Sequence, residues 1–221
     1  MNALDFKFLI PYIPQLINSA KITIKLGVLS FGIALCIAII VGTLRTLKLP
    51  RLLKVLFAVY VEIFRGTPLL IQLFFIYYGL PRFGILFKPF TAAVIGLSLN
   101  SGAYMSEVVR GSVNSIEIGQ YEAAYSLGYS KTQAFLHIIF PQAFRVMLPT
   151  IMNYFSTMIK ETSLASVLTI AELTRIGNQI YARTLSPFEI YITLGTVYFI
   201  MTYSVSLLSK VIERRISLWT R

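Results

Sequence analysis

Two stripes of polar and charged side chains run along otherwise apolar parts of this chain at the spacing of one helix face. Ionisable groups in hydrocarbon are costly, and they usually face a protein partner or a water-filled cavity where polar solutes bind. The first stripe contains Asn100, Tyr104 and Glu107, and the second contains Asn153, Thr157 and Lys160, with Glu161, Thr162 and Ser163 directly after it. We predict that these residues, apart from Lys160, line a passage for a polar solute.

The charges in these segments also have a structural interpretation. Glu107 could pair with Arg110, three residues away, or with Lys160, and this explains its presence about as well as a solute site does. Glu62 and Arg65 are three residues apart, within reach of one another on a helix face. For these two residues we favour an internal ion pair over contact with a solute.

The run Gly66-Thr67-Pro68 predicts a break in the helix that carries Arg65, because proline lacks the backbone N–H that the helix needs. Discontinuous helices of transporters expose backbone carbonyls at such breaks, so Thr67 joins the predicted passage. Around Asn100, the small residues Gly96, Ser98, Ser101, Gly102 and Ala103 predict close contact with a neighbouring helix.

Covalent and metal chemistry have few candidate residues in this sequence. The chain has one cysteine, Cys36, and one histidine, His137, which excludes a disulfide framework and a His-cluster or Cys-based metal site. His137 falls in a predicted loop, so no triad base is expected inside a bilayer. The phosphate-loop pattern G-x-x-x-x-G-K-[ST] is also missing. We therefore expect a protein that is not an enzyme and has no cofactor of its own.

The elements that position these residues are predicted to be transmembrane helices. Of the 221 residues, 56% are hydrophobic and 13% are charged, with a mean hydropathy of +0.73, whereas soluble domains have about 25% charged residues. A span needs about 20 mostly apolar residues. Five windows qualify, and together they form one transmembrane domain over residues 1–221: residues 22–44, 55–80, 90–109, 148–170 and 187–208.

The basic residues predict the orientation of these spans. The net charge of +11 fits basic loops at the cytoplasmic face of a membrane better than nucleic-acid binding. One side of the predicted topology carries eleven Lys and Arg residues and the other carries seven, so we place the N-terminus outside and the C-terminus in the cytoplasm. The first residues lack a basic region and a cleavage site, so no removable signal peptide is expected.

The loop between the third and fourth spans, about 112–147, is the only loop long enough to hold structure of its own. Residues 116–127 read as a helix, and Gly128 suits a left-handed cap at its end. Ser130 and Gln133 have the spacing of a capping box that starts a second helix, which Pro141 is expected to interrupt. We call residues 116–141 the elbow. It either lies on the bilayer surface as an amphipathic segment or docks into a groove on a cytoplasmic partner.

The elbow resembles a known family. Glu122, Ala123, Ala124, Gly128, Ile138 and Pro141 fit the EAA-x3-G-x9-I-x-L-P signature of permease subunits of bacterial ABC importers, with Phe140 in the position of the leucine. The segments FRGTPLLIQLFF, GAYMSEVVRGSV and KETSLASVL resemble its polar amino-acid branch, and the resemblance covers almost the whole chain.

The resemblance implies an all-α integral membrane protein of the type I ABC importer permease fold, with five spans, in the bacterial plasma membrane. It implies a dimer with a second permease copy or a relative, two ATPase subunits that bind ATP and Mg²⁺, and an extracytoplasmic amino-acid-binding protein. In this family the elbow is the coupling helix, so those six signature residues are expected to contact the ATPase.

The most detailed expectation concerns which amino acids are transported. Glu107 and Glu161 in a passage would attract a cationic group and repel an acidic one. We therefore expect arginine, lysine or histidine to be preferred, with glutamine as the alternative. A self-sufficient ion-coupled carrier would also explain charges in the spans, but the five predicted spans show no inverted repeat and such a carrier would have no use for the elbow.

Overall fold

The computed structural model describes residues 5–217, with side chains up to residue 212. Of the basic residues counted for orientation, Arg221 and the side chains of Arg214 and Arg215 lie outside this part. All regular elements within residues 5–217 are helical. In chain order the α-helices are α1 (Ile13–Leu44), α2 (Arg51–Gly66), α3 (Leu69–Phe74), α4 (Pro89–Asn114), α5 (Ile118–Ser126), α6 (Lys131–Ala134), α7 (Phe140–Glu161), α8 (Leu173–Thr184) and α9 (Pro187–Ser217).

Length and composition mark three helical stretches as membrane-span candidates, namely Lys7–Leu44, Lys131–Leu168 and Pro187–Ile212. The pair Arg51–Gly66 and Leu69–Phe83 is bent by 108° and makes a fourth candidate if it counts as one span. The helical stretch that contains the first predicted span, 22–44, begins about fifteen residues before that span, because a 3₁₀ turn at Lys7–Tyr12 leads directly into α1.

The third predicted span, 90–109, lies within the helix α4. This helix is not apolar enough to be counted among the membrane-span candidates. At 1.5 Å per residue its 26 residues reach about 39 Å, enough to cross a bilayer. It lies at the centre of the protein, in contact with α1, α2, α3 and α7. A helix surrounded by protein needs small residues more than apolar ones, which explains its low hydropathy.

Small residues let α1 and α4 pack closely, as their spacing predicted. A Cβ added at Gly42 would lie 2.6 Å from the carbonyl oxygen of Ser106, and one at Gly102 would lie 2.9 Å from Cγ2 of Ile37. The Ser98 hydroxyl donates a hydrogen bond to the Ser30 carbonyl across the same contact, at 3.1 Å. These approaches leave room for glycine alone, so α1 and α4 form a tight pair.

Pro141 does not end its helix, contrary to the sequence-based expectation. Residues Phe135–Ile139 form a π-helical turn, and α7 continues from Phe140 with Pro141 in its first turn. A proline removes the hydrogen bond to the carbonyl four residues earlier. A π turn already shifts that bonding pattern by one residue, so the chain stays helical at Pro141. The second arm of the elbow is therefore continuous with the helix of the fourth span.

Glu172 connects the start of α8 to α9, a role that no sequence pattern predicted. Its carboxylate is buried and accepts hydrogen bonds from the backbone N–H groups of Thr174 and Arg175, at 2.9 and 2.6 Å, at the start of α8. The Tyr198 hydroxyl of α9 donates a third, at 3.0 Å. A carboxylate at a helix N-terminus also gains from the helix dipole, so Glu172 ties α8 to α9.

Candidate functional site

A polar cavity of about 280 Å³ lies between the break in the second span, α4 and the end of α7. This volume is near the lower end of the range of about 300–1,000 Å³ for small-molecule sites, which suits a small solute. The lining residues are Thr67, Pro68, Leu69, Asn100, Ser101, Tyr104, Tyr154 and Glu161. We call this space the cavity.

Four of the predicted passage residues line the cavity, namely Thr67, Asn100, Tyr104 and Glu161. The other five do not, and they are Glu107, Asn153, Thr157, Thr162 and Ser163. Thr162 is buried, and its hydroxyl donates to the Ile159 carbonyl at 2.7 Å. Asn153 is exposed on a different side of α7. Of the second stripe and the residues directly after it, only Glu161 lines the cavity.

Tyr154 and Ser101 line the cavity but were not predicted. Tyr154 lies seven residues before Glu161, so both occupy one face of α7, and this spacing was readable in the sequence. The ring of Tyr154 lies 6.4 Å from that of Tyr104 on α4. The two phenols thus form an aromatic wall next to the Glu161 carboxylate.

The break in the second span is held open by two amide side chains. Thr67 is extended, at φ −121° and ψ 146°, which ends α2 at Gly66. Because Pro68 has no N–H, the Phe64 carbonyl loses its helical donor. The side-chain amides of Gln72 and Asn100 replace that donor, at 2.9 and 3.0 Å.

Gln72 holds the other side of the break as well. Its amide donates to the carbonyl and the hydroxyl oxygens of Thr67, at 3.0 and 2.8 Å, and accepts from Asn100 at 3.1 Å. The carbonyls that we expected to be exposed for solute are therefore satisfied within the protein. The break is a fixed structure rather than a set of free ligands.

Glu161 brings the main negative charge to the cavity. Among the described residues, both ion pairs involve Glu107, and Glu161 has no cation within 4.0 Å. Its neighbour Lys160 is exposed, since consecutive helical residues point about 100° apart. The half-buried Glu161 carboxylate is therefore available for a cationic group of a solute.

Glu107, in contrast, is compensated. One carboxylate oxygen pairs with Arg45 at the end of α1, and the other pairs with Arg110 at 2.7 Å. Of the two interpretations left open by the sequence, the ion pair is the one observed, with Arg45 as an additional partner instead of Lys160. An uncompensated Glu107 facing the passage is ruled out, and the residue joins the ends of α1 and α4.

The ion pair that we predicted between Glu62 and Arg65 is absent. The described residues contain ion pairs at Glu107 alone, and Glu62 is exposed. The Arg65 guanidinium instead lies over the Tyr104 ring, 5.4 Å from its centroid, while the Tyr104 hydroxyl donates to the Arg65 carbonyl at 3.1 Å. Attraction to the aromatic face takes the arginine away from the carboxylate.

The elbow has the geometry that its residues predicted. Gly128 has a φ of +82°, and Tyr129 N–H and Gly128 N–H donate to the carbonyls of Ala124 and Tyr125, at 3.1 and 3.0 Å. This is a Schellman cap, which favours glycine at the left-handed position. Ser130 and Gln133 form the predicted capping box, with both hydrogen bonds present.

The two arms of the elbow share one hydrophobic core with the spans. Ile139 and Ala143 are buried together with Val109 and Val113 of α4, and Tyr121 and other partly buried residues pack against them. Burial raises the pKa of the Tyr121 phenol, and Tyr125 adds to the shift, so Tyr121 stays neutral. The elbow therefore packs directly on α4 and is continuous with α7.

The outer surface of the elbow is exposed. Glu122 and Ala123 face outward while Ala124 is buried, and Ile118 and Leu127 are each 75% exposed. Ile138 is partly buried and Pro141 is exposed at the start of α7.

Comparison with known proteins gives the same assignment. Residues 34–218 match the family described as the binding-protein-dependent transport system inner membrane component. The L-cystine transport system permease protein TcyB of Bacillus subtilis is 44% identical over 204 residues, which are 92% of this chain and 87% of that protein. The glutamine transport system permease protein GlnP of Escherichia coli strain K12 is 38% identical over 216 residues, 97% of this chain and 98% of that protein.

A solved structure described as an amino acid ABC transporter with histidines is similar to the whole fold. It matches with a TM-score of 0.89 at 37% identity, over 97% of this chain and all of that one. Family, relatives and fold thus agree with the helical architecture and the elbow signature. The chain belongs to the family of binding-protein-dependent transport system inner membrane components, and it is the permease subunit of a polar amino-acid ABC importer, in which a separate subunit hydrolyses ATP.

Proposed function

We propose that this permease prefers amino acids with a cationic side chain, namely arginine, lysine or histidine, and that they pass through the cavity. The observation that carries the proposal is Glu161, a carboxylate at the cavity without an ion-pair partner among the described residues. A carboxylate without an ion-pair partner attracts a guanidinium or ammonium side chain and repels an acidic one.

The aromatic wall fits the same substrates. The Tyr104 ring already holds Arg65, so Tyr154 is the ring left for a cation beside Glu161, and an aromatic ring attracts a cation by about 0.5–2 kcal/mol. Thr67 and Ser101 offer hydroxyls for polar groups of the amino acid. The solved relative with histidines supports this preference. The similarity to a glutamine permease supports glutamine as the second candidate.

The remaining predicted passage residues have a proposed role outside the cavity. Asn153 lies on a more exposed side of α7 than Tyr154 does, Thr157 is half-buried one turn further along, and Ser163 follows the end of that helix. We propose that they line the water-filled path between the cavity and the solvent, where their hydroxyl and amide groups form hydrogen bonds with a passing solute. Thr162 is a packing residue in this scheme, since its hydroxyl is bonded within the chain.

The elbow is proposed to couple transport to ATP hydrolysis. Glu122, Ala123, Ala124, Gly128, Ile138 and Pro141 form a rigid unit of two capped arms, and the exposed members of this set contact an ABC ATPase that binds ATP and Mg²⁺. Because the elbow shares its core with α4 and α7, closure of the ATPase dimer moves the helices that line the cavity.

The proposed assembly contains two copies of this chain, an ATPase dimer and an extracytoplasmic amino-acid-binding protein. The chain lies in the bacterial inner membrane with its elbow and C-terminus in the cytoplasm and its N-terminus outside. A single cysteine at Ser130, in a Cys36→Ala background, should be protected from an impermeant thiol reagent added to intact cells. A cysteine at Arg82 should react, and the reverse pattern would invert the proposed orientation.

The substrate proposal is tested by uptake into proteoliposomes that contain the complete importer. Glu161→Gln should lower arginine uptake about tenfold or more, because about 1.4 kcal/mol of lost attraction corresponds to that factor, and should lower glutamine uptake much less. Glu189→Gln, which removes a carboxylate in the first turn of α9, is the matched control and should change neither. Equal effects of Glu161→Gln on both substrates would contradict the cationic preference.

A further inference from the structure

One face of α2 carries charges that this chain does not neutralise. The inner face of α2 packs on α4, where the Tyr60 hydroxyl donates to the Leu99 carbonyl at 2.8 Å, the Phe64 carbonyl accepts from Asn100, and Val61 is fully buried. At about 100° per residue, a neighbouring face carries Lys54, Ala58, Glu62 and Arg65. We call these four residues the charged face of α2.

Glu62 is the residue that makes this face unsuitable for lipid. It lies within the predicted span 55–80, seven residues after Val55, and so about 10 Å along the helix axis from the start of that span. Among the described residues Glu62 has no ion pair and no hydrogen bond, and it is exposed. An ionised carboxylate at that depth needs a protein partner or water.

The rest of the exposed surface of α2 behaves differently, and this separates lipid from a protein partner. Its apolar members are Leu52, Val55, Leu56, Val59 and Ile63, each between 47% and 80% exposed. They occupy the sector on the other side of Glu62 from Arg65. Hydrocarbon chains fit that sector, so lipid covers the apolar face while the charged face turns towards another part of the assembly.

The charged face is complementary to itself. In a dimer with its two-fold axis along the membrane normal, equivalent residues of the two copies lie at the same depth, and each contact occurs twice. Glu62 and Arg65 differ by three residues, or about 4.5 Å along the axis, which the long arginine side chain spans. The carboxylate of one copy and the guanidinium of the other then pair at two symmetric places.

We propose that the charged faces of α2 from two copies of this chain face each other across the two-fold axis. In this interface, Glu62 of each copy pairs with Arg65 of the partner subunit. Because Arg65 also lies over Tyr104, which lines the cavity, the interface links the two cavities. The inference rests on the proposed assembly of two permease copies and adds the surface through which they meet.

A charge-exchange experiment separates pairing between copies from pairing within a copy. Two differently tagged copies are expressed together with the ATPase and purified on both tags in succession, so that only mixed pairs remain. In the trans arrangement one copy carries Glu62→Arg and the other carries Arg65→Glu. In the cis arrangement one copy carries both substitutions and the other is wild type. Both arrangements have the same total composition, so general damage affects them equally.

The two arrangements differ in which contacts carry opposite charges. In trans, every contact between copies joins a cation to an anion, whereas the two residues within each copy repel. In cis, the contacts within each copy are matched and the contacts between copies repel. We expect at least about tenfold more dual-tagged complex from trans than from cis, since like charges in an interface are strongly disfavoured. Equal recovery at any level, or more complex from cis, overturns the proposal.

Amino-acid uptake by the wild-type dual-tagged complex distinguishes a failure of the proposed function from a failure of the proposed interface. A wild-type pair that assembles but imports no amino acid contradicts the proposed function, while the trans–cis comparison still decides the interface. If no dual-tagged wild-type pair can be recovered, two copies do not assemble and the interface proposal is overturned.

Discussion

The elbow is held together by residues a few positions apart, whereas the cavity is assembled from helices far apart in the sequence. Gly128 and Ser130 fix the turn of the elbow through caps with partners no more than five residues away. The cavity needs Gln72 and Asn100, 28 residues apart, to hold the break beside it. A local motif withstands changes in its surroundings, but a network between helices shifts when one helix moves. The proposed division of roles, with force transmission in the elbow and substrate selection in the cavity, matches this difference.

Gly128→Asp is expected to have the largest effect. A Cβ at Gly128 meets no atom within 4 Å, so the cost comes from its φ of +82°, which is about 1–2 kcal/mol for a residue with a side chain. The cap should loosen and uptake should fall about tenfold or more, while ATP hydrolysis continues. Gly119→Asp, in the first turn of α5, is the control, because a Cβ there is also unobstructed. Full uptake by Gly128→Asp would show that the elbow does not transmit force.

Glu107→Gln is expected to destabilise the complex without changing its selectivity. The carboxylate holds Arg45 and Arg110 and is 20% exposed on its side chain, so its loss should cost about 2 kcal/mol, less than the about 3–5 kcal/mol of a fully buried pair. Thermal unfolding of the purified protein measures this. The ratio of arginine to glutamine uptake should stay at the wild-type value. A selective loss of arginine uptake would place Glu107 in the substrate path after all.

Gln72→Ala is expected to have the smallest effect of the three. It leaves the Thr67 carbonyl without its side-chain donor, while Asn100 still donates to the Phe64 carbonyl. Thr67 is exposed, so water can replace the lost donor, and the cost should be that of one ordinary hydrogen bond, about 0.5–1.5 kcal/mol. The KM for uptake should rise for all substrates together, because the wall near Thr67 loosens. Gln142→Ala, which removes a hydrogen bond to Gln120 in the elbow, is a control that should leave the KM unchanged.

The difference between the two regions also explains what the sequence could predict. The glycine cap and the capping box were predictable because both depend on residue types within one short segment. The break at Pro68 was predictable for the same reason. Pro141 was misjudged because the π turn before it depends on the packing of Ile139 and Ala143 against α4, which no local pattern reports.

Contacts between helices were the main source of error at the site. Arg45 and Glu107 are 62 residues apart, so no local pattern predicted that they pair. Arg65 and Glu62 are neighbours on one helix face, yet the Tyr104 ring on α4 attracts the guanidinium. Tyr154 was overlooked although its spacing from Glu161 was visible, because an aromatic residue in a span is usually a packing residue. Burial and partners of charges in a membrane protein follow from tertiary structure.

The most direct test measures ATP hydrolysis and uptake of arginine and glutamine in the same proteoliposomes. Wild type, Gly128→Asp and Glu161→Gln are compared in the complete importer. Gly128→Asp should lower the uptake of both amino acids per ATP hydrolysed by the same factor. Glu161→Gln should lower the arginine-to-glutamine ratio and keep the uptake of glutamine per ATP near wild type. The division of roles would be contradicted if Gly128→Asp changed the ratio, or if Glu161→Gln reduced both uptakes per ATP equally.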